Sequence, residues 1–404
     1  NPNVFRFSTN KDRRNRATQG QYEPGSTFKI VTAAAALEEK VIAPDDLVDV
    51  SEGMIHFGAR TIHDITNYGT LSFADVIVKS SNVGTILVGQ EVGAERLDEY
   101  TRRFGFGRRL SQDFSGENPG FVWPPENLNP SALASVSMGY QIAVTPLQMA
   151  VATSVIANGG NLIEPYVVKA LVANGRRFKM KREPPQRVVT RATATTVTSM
   201  MEDVVRRGTA RRAQIPGYTI AGKTGTAQKL VNKAYSKSLY NSSFVGFAPS
   251  RAPELTILVV IDSPKAGHTY GGVVAAPIFK RIAEAALRYL EISPTLHASS
   301  PILVPKTSAS ESKTAGARQR PAAMTAIATV KSDQVVMPDL RGLSARQALR
   351  GLAKLEVRAR LEGNGFVVEQ TPEPGKPIDR DFECVLRLDR TAPTPRASTN
   401  EASP

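Results

Sequence analysis

Tyr22-Glu23-Pro24-Gly25-Ser26-Thr27-Phe28-Lys29 leads from a turn into an apolar run, Ile30-Val31-Thr32-Ala33-Ala34-Ala35-Ala36-Leu37. Pro24-Gly25 is a turn signal. From Ser26 to about Lys40 the pattern is helical and apolar almost all round, which predicts a buried helix. Ser26 and Lys29 then share one face, a turn apart. Ser26 falls at the helix start, where the dipole favours developing negative charge. A serine hydroxyl is a weak nucleophile until a neighbouring base takes its proton. Lys29 becomes such a base once burial and a second cation lower its pKa.

Two more strings follow in order. Ser80-Ser81-Asn82 breaks a helical pattern built on Phe73, Val76 and Ile77. It offers a hydroxyl for proton relay, Ser80, and an amide to orient a substrate, Asn82. Lys223-Thr224-Gly225-Thr226 follows the strand-like Tyr218-Thr219-Ile220-Ala221-Gly222. Lys223 is the candidate second cation, and the Thr224 and Thr226 hydroxyls suit a carboxylate. Gly222 and Gly225 would let a ligand backbone approach and pair with the strand. The N–H groups of Ser26 and Thr226 are candidate oxyanion donors. Together these parts supply serine acyl transfer.

Each string has a plainer explanation. Ser80 is also what turn chemistry favours, and Lys223 reads equally as a solvated strand-end lysine. Decoys exist at Ser310…Lys313, Ser8-Thr9-Asn10, Ser398-Thr399-Asn400 and Lys265-Ala266-Gly267. Placement separates the triplet from them: a buried helix start, a break between helices, and a strand end.

The chain has 404 residues, enough for two or three domains. A net charge of +14 suits an anionic envelope, while no aromatic-interleaved basic motif or zinc-finger spacing points to nucleic acid. One cysteine, Cys384, excludes an intramolecular disulfide. The four histidines have no metal-ligand spacing, so neither metal nor cofactor is predicted. No apolar run reaches about 18 residues, and no signal-peptide pattern opens the chain. Without an initiator Met, it reads as a piece whose N-terminal part lies elsewhere.

Residues 93–130 read as loop. Helices are predicted after Thr145-Pro146 to Asn158-Gly159-Gly160, over about 192–207, and over the apolar positions 278–290. Strands 243–247 and 255–261 form a predicted hairpin. The lysine-rich stretch 229–241 is predicted to be a mobile flap joining two strands beside the site. Residues 293–333 are a Ser/Thr/Ala/Pro-rich linker. Residues 335–390 read as a small α+β module, with a first strand, a helix near 344–354 and three more strand-like runs. The last fourteen residues read as a disordered tail.

The order Ser-x-x-Lys, Ser-x-Asn, Lys-Thr-Gly is a known motif set of penicillin-binding proteins and class A β-lactamases. Residues 1–292 resemble the class B penicillin-binding proteins through the strings 22–29, 80–84, 139–148, 221–228 and 270–277. The last two are most similar to the cell-division branch or its sporulation relatives. Residues 334–390 resemble a PASTA domain through Val336-Met337-Pro338-Asp339-Leu340-Arg341-Gly342 and Gln370-Thr371-Pro372-Glu373-Pro374-Gly375.

The resemblance implies an α/β (α+β) penicillin-binding transpeptidase, β-lactamase-like fold: an antiparallel sheet flanked by helices, plus a small PASTA module. It implies a peptidoglycan D,D-transpeptidase of septal wall synthesis. Ser26 would attack a D-Ala-D-Ala stem peptide, with Lys29 as base, Ser80 as proton shuttle and Asn82 on the substrate amide. Lys223, Thr224, Gly225 and Thr226 would hold the terminal carboxylate. β-Lactams would acylate Ser26, and divisome membrane proteins would be partners. The location implied is the extracytoplasmic face of the cell membrane, with the anchor and pedestal before residue 1. The family's sheet includes strands preceding the nucleophile by several tens of residues, so an incomplete sheet is expected. The alternatives are a β-lactamase, for which Glu126-Asn127-Leu128-Asn129 is one residue short of the deacylating spacing, a D,D-carboxypeptidase, or a non-catalytic wall-binding or divisome scaffold.

Overall fold

A computed structural model describes residue 9, residues 13–232, 234–265 and 267–294, and then 335–341, 343, 348–349, 352, 355, 357–363, 366–378 and 383–389. Nearly all of the predicted linker 293–333, most of the helix near 344–354 and the tail 391–404 lie outside the described residues. The chain divides into two compact units, Asn1–Pro305 and Lys306–Pro404.

The Ser26 segment starts as one 3-10 turn, Gly25–Thr27, closed by the Phe28 N–H on Gly25 O at 2.9 Å. Helix α1 then spans Lys29–Glu38. This differs from the uninterrupted helix predicted from Ser26. Gly25 takes a φ of +54°, which L side chains rarely adopt, and the chain enters the helix through that kink. Three residues per turn still stack Ser26 over Lys29. Every residue from Lys29 to Ala36 is buried.

Strand β1 (Leu47–Asp49) pairs with β4 (Thr70–Ser72), and β2 (Met54–Phe57) with β3 (Arg60–His63). Helices α2 (Phe73–Lys79) and α3 (Asn82–Val92) are separated by Ser80, which is left-handed at φ 62°. Ser81 then caps α3, its Oγ accepting the Gly84 N–H at 2.9 Å. Helix α4 (Ala94–Arg103) occupies part of the stretch read as loop. Its signal is present in the sequence: Leu97, Tyr100, Thr101 and Phe104 recur at helical spacing and are all buried. Flanking glycines and a charged outer face hide it.

Helix α5 (Pro130–Ser137) precedes α6 (Pro146–Ala157), whose start is a reciprocal Thr145–Gln148 capping box. Short strands β5 (Asn161–Leu162) and β8 (Gln186–Arg187) pair, as do β6 (Ala170–Ala173) and β7 (Arg176–Lys179). Helix α7 spans Arg191–Arg206. The main sheet holds β9 (Ala221–Val231), β10 (Ala234–Ala248) and β11 (Leu255–Asp262), antiparallel in the order β11-β10-β9. Helix α8 (Ala276–Tyr289) packs on it through Phe279, edge-on to Phe244 at 4.7 Å. The stretch 229–241 is therefore mostly strand: β9 and β10 extend through it as one hairpin, with a register shift between Tyr235 and Tyr240. The joining segment is sheet where a connecting stretch was predicted, because β9 keeps pairing past Gln228.

In the second unit β12 (Val335–Val336) pairs with β15 (Pro377–Ile378). Strands β13 (Arg358–Gly363), β14 (Phe366–Thr371) and β16 (Glu383–Asp389) lie in the order β13-β16-β14. Among the described residues that is four strands after the first, one more than read from the sequence; the extra one is the two-residue β15. Met337, Leu340, Val367, Cys384 and Leu386 form its core. Among the described residues no helix is long and apolar enough to cross a membrane.

Candidate active site

The Ser26 turn is gripped from two sides. Gly25 N–H donates to Gly139 O at 2.9 Å, and Thr27 Oγ1 donates to Pro24 O at 2.9 Å. Gly139 has a φ of +84°, and a Cβ there would lie 2.2 Å from Gly25 O, so no other residue fits. Strand β9 closes the opposite side. A Cβ on Gly225 would lie 2.4 Å from Ser243 Oγ and 3.0 Å from Pro24 O. A Cβ on Gly222 would lie 2.3 Å from the Phe244 ring. These glycines therefore also serve packing: Gly225 seats β9 on the Ser26 turn, and Gly222 seats it against the Phe244 ring.

Lys29 is 0 % exposed and its Nζ donates to Ser80 O and Ser81 O at 2.9 Å each and to Asn82 Oδ1 at 2.8 Å. Three acceptors match the three hydrogens of an ammonium. Burial nevertheless pulls its pKa down from the lysine range to about 7, against the opposing pull of Asp64. The neutral amine is therefore accessible near neutrality, and deprotonation frees a lone pair at the expense of one hydrogen bond. Lys223, also 0 % exposed, donates to Ser80 Oγ at 2.7 Å. Burial, reinforced by the Lys29 charge, holds Lys223 well below the usual range. Ser80 thus meets one lysine through its carbonyl and the other through its hydroxyl, while its own O–H remains to be given. Ser26 is half-buried and its hydroxyl has no hydrogen-bond partner among the described residues.

The two threonines are less free than predicted. Thr224 is 7 % exposed and its hydroxyl pairs with Thr209 Oγ1 at 2.7 Å. Thr226 Oγ1 accepts the Gly271 N–H at 3.0 Å, which leaves its O–H to donate. Asn82 is likewise committed: besides accepting from Lys29, its Nδ2 donates to His63 O at 3.0 Å.

Asp64 went unread in the sequence, where it is one carboxylate in a turn-rich stretch. Its Oδ2 accepts from Ser81 Oγ at 2.5 Å, and its Oδ1 accepts the N–H groups of Asn82 and Val83. A carboxylate on the first N–H groups of α3 offsets the helix dipole and orphan donors. It thereby holds the three acceptors that hold Lys29. Asp64→Ala is expected to lower stability by about 1.5–3 kcal/mol, the usual worth of a hydrogen bond to a charged group. A melting temperature equal to that of the unaltered chain would refute this. Glu126, the candidate deacylating carboxylate, is exposed on a 3-10 turn, Pro125–Asn127, which gives the β-lactamase alternative no buried base.

A half-buried serine on the turn that enters a buried helix, two buried lysines and a second serine between them are the kinds of group that serine acyl transfer needs. A family profile described as "Penicillin binding protein transpeptidase domain" matches residues 1–284, and one described as "PASTA domain" matches 335–382. The chain belongs to the penicillin-binding protein transpeptidase family and carries a PASTA domain after its transpeptidase domain.

Among relatives, it is 35 % identical over 286 residues to Stage V sporulation protein D of Bacillus subtilis, covering 70 % of this chain and 44 % of that one. It is 38 % identical over 283 residues to penicillin-binding protein PbpB of Mycobacterium tuberculosis, covering 67 % and 41 %. The chain thus spans less than half the length of these two relatives. Among solved structures, penicillin-binding protein 3 of Mycobacterium tuberculosis complexed with ampicillin matches with a TM-score of 0.66 at 36 % identity, over 72 % of this chain and 67 % of that one. The apo transpeptidase domain of penicillin-binding protein 3 from Burkholderia pseudomallei matches with a TM-score of 0.64 at 33 % identity, over 70 % and 84 %.

Proposed function

We propose that this chain is the catalytic part of a class B, cell-division-type peptidoglycan D,D-transpeptidase that works through a Ser26 acyl-enzyme. The observation that carries the reading is the meeting of all three motifs at Ser80, whose carbonyl binds Lys29 and whose hydroxyl binds Lys223. Ser26 Oγ adds to the carbonyl of the D-Ala-D-Ala amide while neutral Lys29 takes its proton. As the tetrahedral intermediate collapses, the C–N bond breaks and the D-Ala nitrogen takes a proton relayed through Ser80. D-Ala leaves and a Ser26 ester remains. An amine of a second stem peptide then attacks the ester, restores the Ser26 hydroxyl and forms the cross-link. Lys223 and the Thr226 O–H hold the donor's terminal carboxylate, and β-lactams acylate Ser26 as mimics of the donor.

The same reading assigns residues 1–292 to the transpeptidase domain, 293–333 to a linker, 334–390 to the PASTA domain and 391–404 to a tail. It places the protein at the extracytoplasmic face of the cell membrane, among divisome membrane proteins and in septal wall synthesis. The similarity to penicillin-binding protein 3, solved with ampicillin, supports the β-lactam part. Incubation with a fluorescent penicillin, followed by peptide mapping, tests it. One covalent adduct per chain on the peptide containing Ser26 is expected, and an adduct elsewhere or none at all would sink the proposal.

A further inference from the structure

Glu23 lies three residues before Ser26, on the segment that winds into the nucleophile turn. Its Oε1 accepts the Gln141 N–H at 2.7 Å and the Tyr235 O–H at 2.9 Å, from residues 118 and 212 positions away in sequence. Gln141 is left-handed at φ 57°, an unfavourable conformation for a non-glycine residue, and this bond pins it. Its side chain continues to Ser135 Oγ at 3.2 Å, which also accepts from Arg60 at 2.6 Å. On the other side the Tyr235 ring stands edge-on to Tyr140 at 5.3 Å. Tyr140 OH accepts the N–H of Gln228, two residues beyond Thr226 on β9, at 3.2 Å. The second carboxylate oxygen of Glu23 is buried without a partner, and burial raises the carboxyl above its ordinary range. A buried polar atom left unpaired is costly, which marks the position as one kept for more than packing.

We propose that Glu23 is a positioning residue for acylation: it latches the Ser26 turn to the β9–β10 hairpin through Tyr235 and to the 139–141 turn through Gln141. The proposal rests on the acyl-transfer reading of the site. The latch sets how the nucleophile turn sits against β9, the strand that carries Lys223 and Thr226. Without it the turn keeps its own hydrogen bonds, but its distance from that strand is no longer fixed.

Tyr235 gives the clean test, because it sits half-buried beside the exposed residues Ala234 and Lys237 and removal of its hydroxyl spares the core. The second-order acylation rate constant of the purified chain with a penicillin is measured alongside the melting temperature. Tyr235→Phe is expected to slow acylation about 5- to 10-fold, and Glu23→Ala about 30- to 100-fold, since small misplacements of a reacting group cost up to about a hundredfold. Glu23→Gln, whose amide oxygen still accepts from both donors, is expected to stay within about threefold of wild type. The double variant Glu23→Ala/Tyr235→Phe is expected to be no slower than Glu23→Ala, because the two residues share one interaction. A Tyr235→Phe chain that acylates at the wild-type rate, or two effects that multiply, overturns the latch. A wild-type chain that does not acylate at all instead overturns the acyl-transfer reading, and the latch with it.

Discussion

Ser26→Ala is expected to abolish covalent labelling by a fluorescent penicillin while leaving the melting temperature unchanged. The expectation has two independent grounds. The acyl-enzyme ester needs the Ser26 oxygen, and with alanine there is no atom to bond to the opened ring. Stability is spared because the hydroxyl has no hydrogen-bond partner among the described residues, so its loss strands no donor or acceptor. The backbone turn that presents it is held by Gly25, Gly139 and Thr27, none of which the substitution touches. Persistent labelling of the variant would mean that another nucleophile reacts, and the proposed chemistry would fall.

Lys29→Met is expected to slow acylation by about 10²- to 10⁴-fold, the usual worth of a positioned general base. The variant keeps the length and burial of the stem but leaves Ser80 O, Ser81 O and Asn82 Oδ1 without their donor. Each buried orphan costs on the order of 1–3 kcal/mol unless water replaces the ammonium. A pH profile separates the two consequences. With the Lys29 pKa near 7, wild-type acylation should fall about tenfold per pH unit below that value, where the amine is protonated, and level off above it. A flat profile from pH 5 to 8, or a Lys29→Met variant acylating at near wild-type rate, would remove Lys29 as the base.

Stability depends on the same pKa in a higher pH window. The folded pKa lies below the unfolded value of about 10.4, so between them the unfolded chain binds more protons and stability rises with pH. The contribution is complete above about pH 10.4 and is lost as pH falls toward the folded value near 7. Lys29→Met should flatten this part of the stability profile. Lys223, whose pKa is also depressed by burial and by the Lys29 charge, supplies a slope of the same sign.

The readability of this chain varied with the range of the interaction. Ser26 and Lys29 are three residues apart, so one turn sets their alignment and the sequence shows it. Ser80 was legible as a break between helices, but its double engagement was not: Lys29 reaches it across 51 residues and Lys223 across 143. Asp64 and Glu23 were missed for the same reason, since each carboxylate acts on partners that only packing brings near. Gly225 has a packing role that no local reading reveals. Its missing side chain lets Pro24, Thr27 and Ser243 pack against that side of β9. The strand character of 229–241 was not legible because its polar residues, read as a joining segment, continue to pair in a two-stranded extension where many side chains are exposed.

The sequence by itself determined which groups are candidates for the chemistry and the element on which each sits. Turn residues, helical period and strand alternation act within a few residues and are written into the chain. Only the tertiary structure decided that the three motifs meet, that Asp64 orders the acceptors of Lys29, and that Lys29 is poised near neutrality. A lysine's proton affinity in the interior depends on how much water the surrounding core removes and which dipoles replace it. That is a property of the assembled α1, α3 and β9, and no local stretch of the chain contains it.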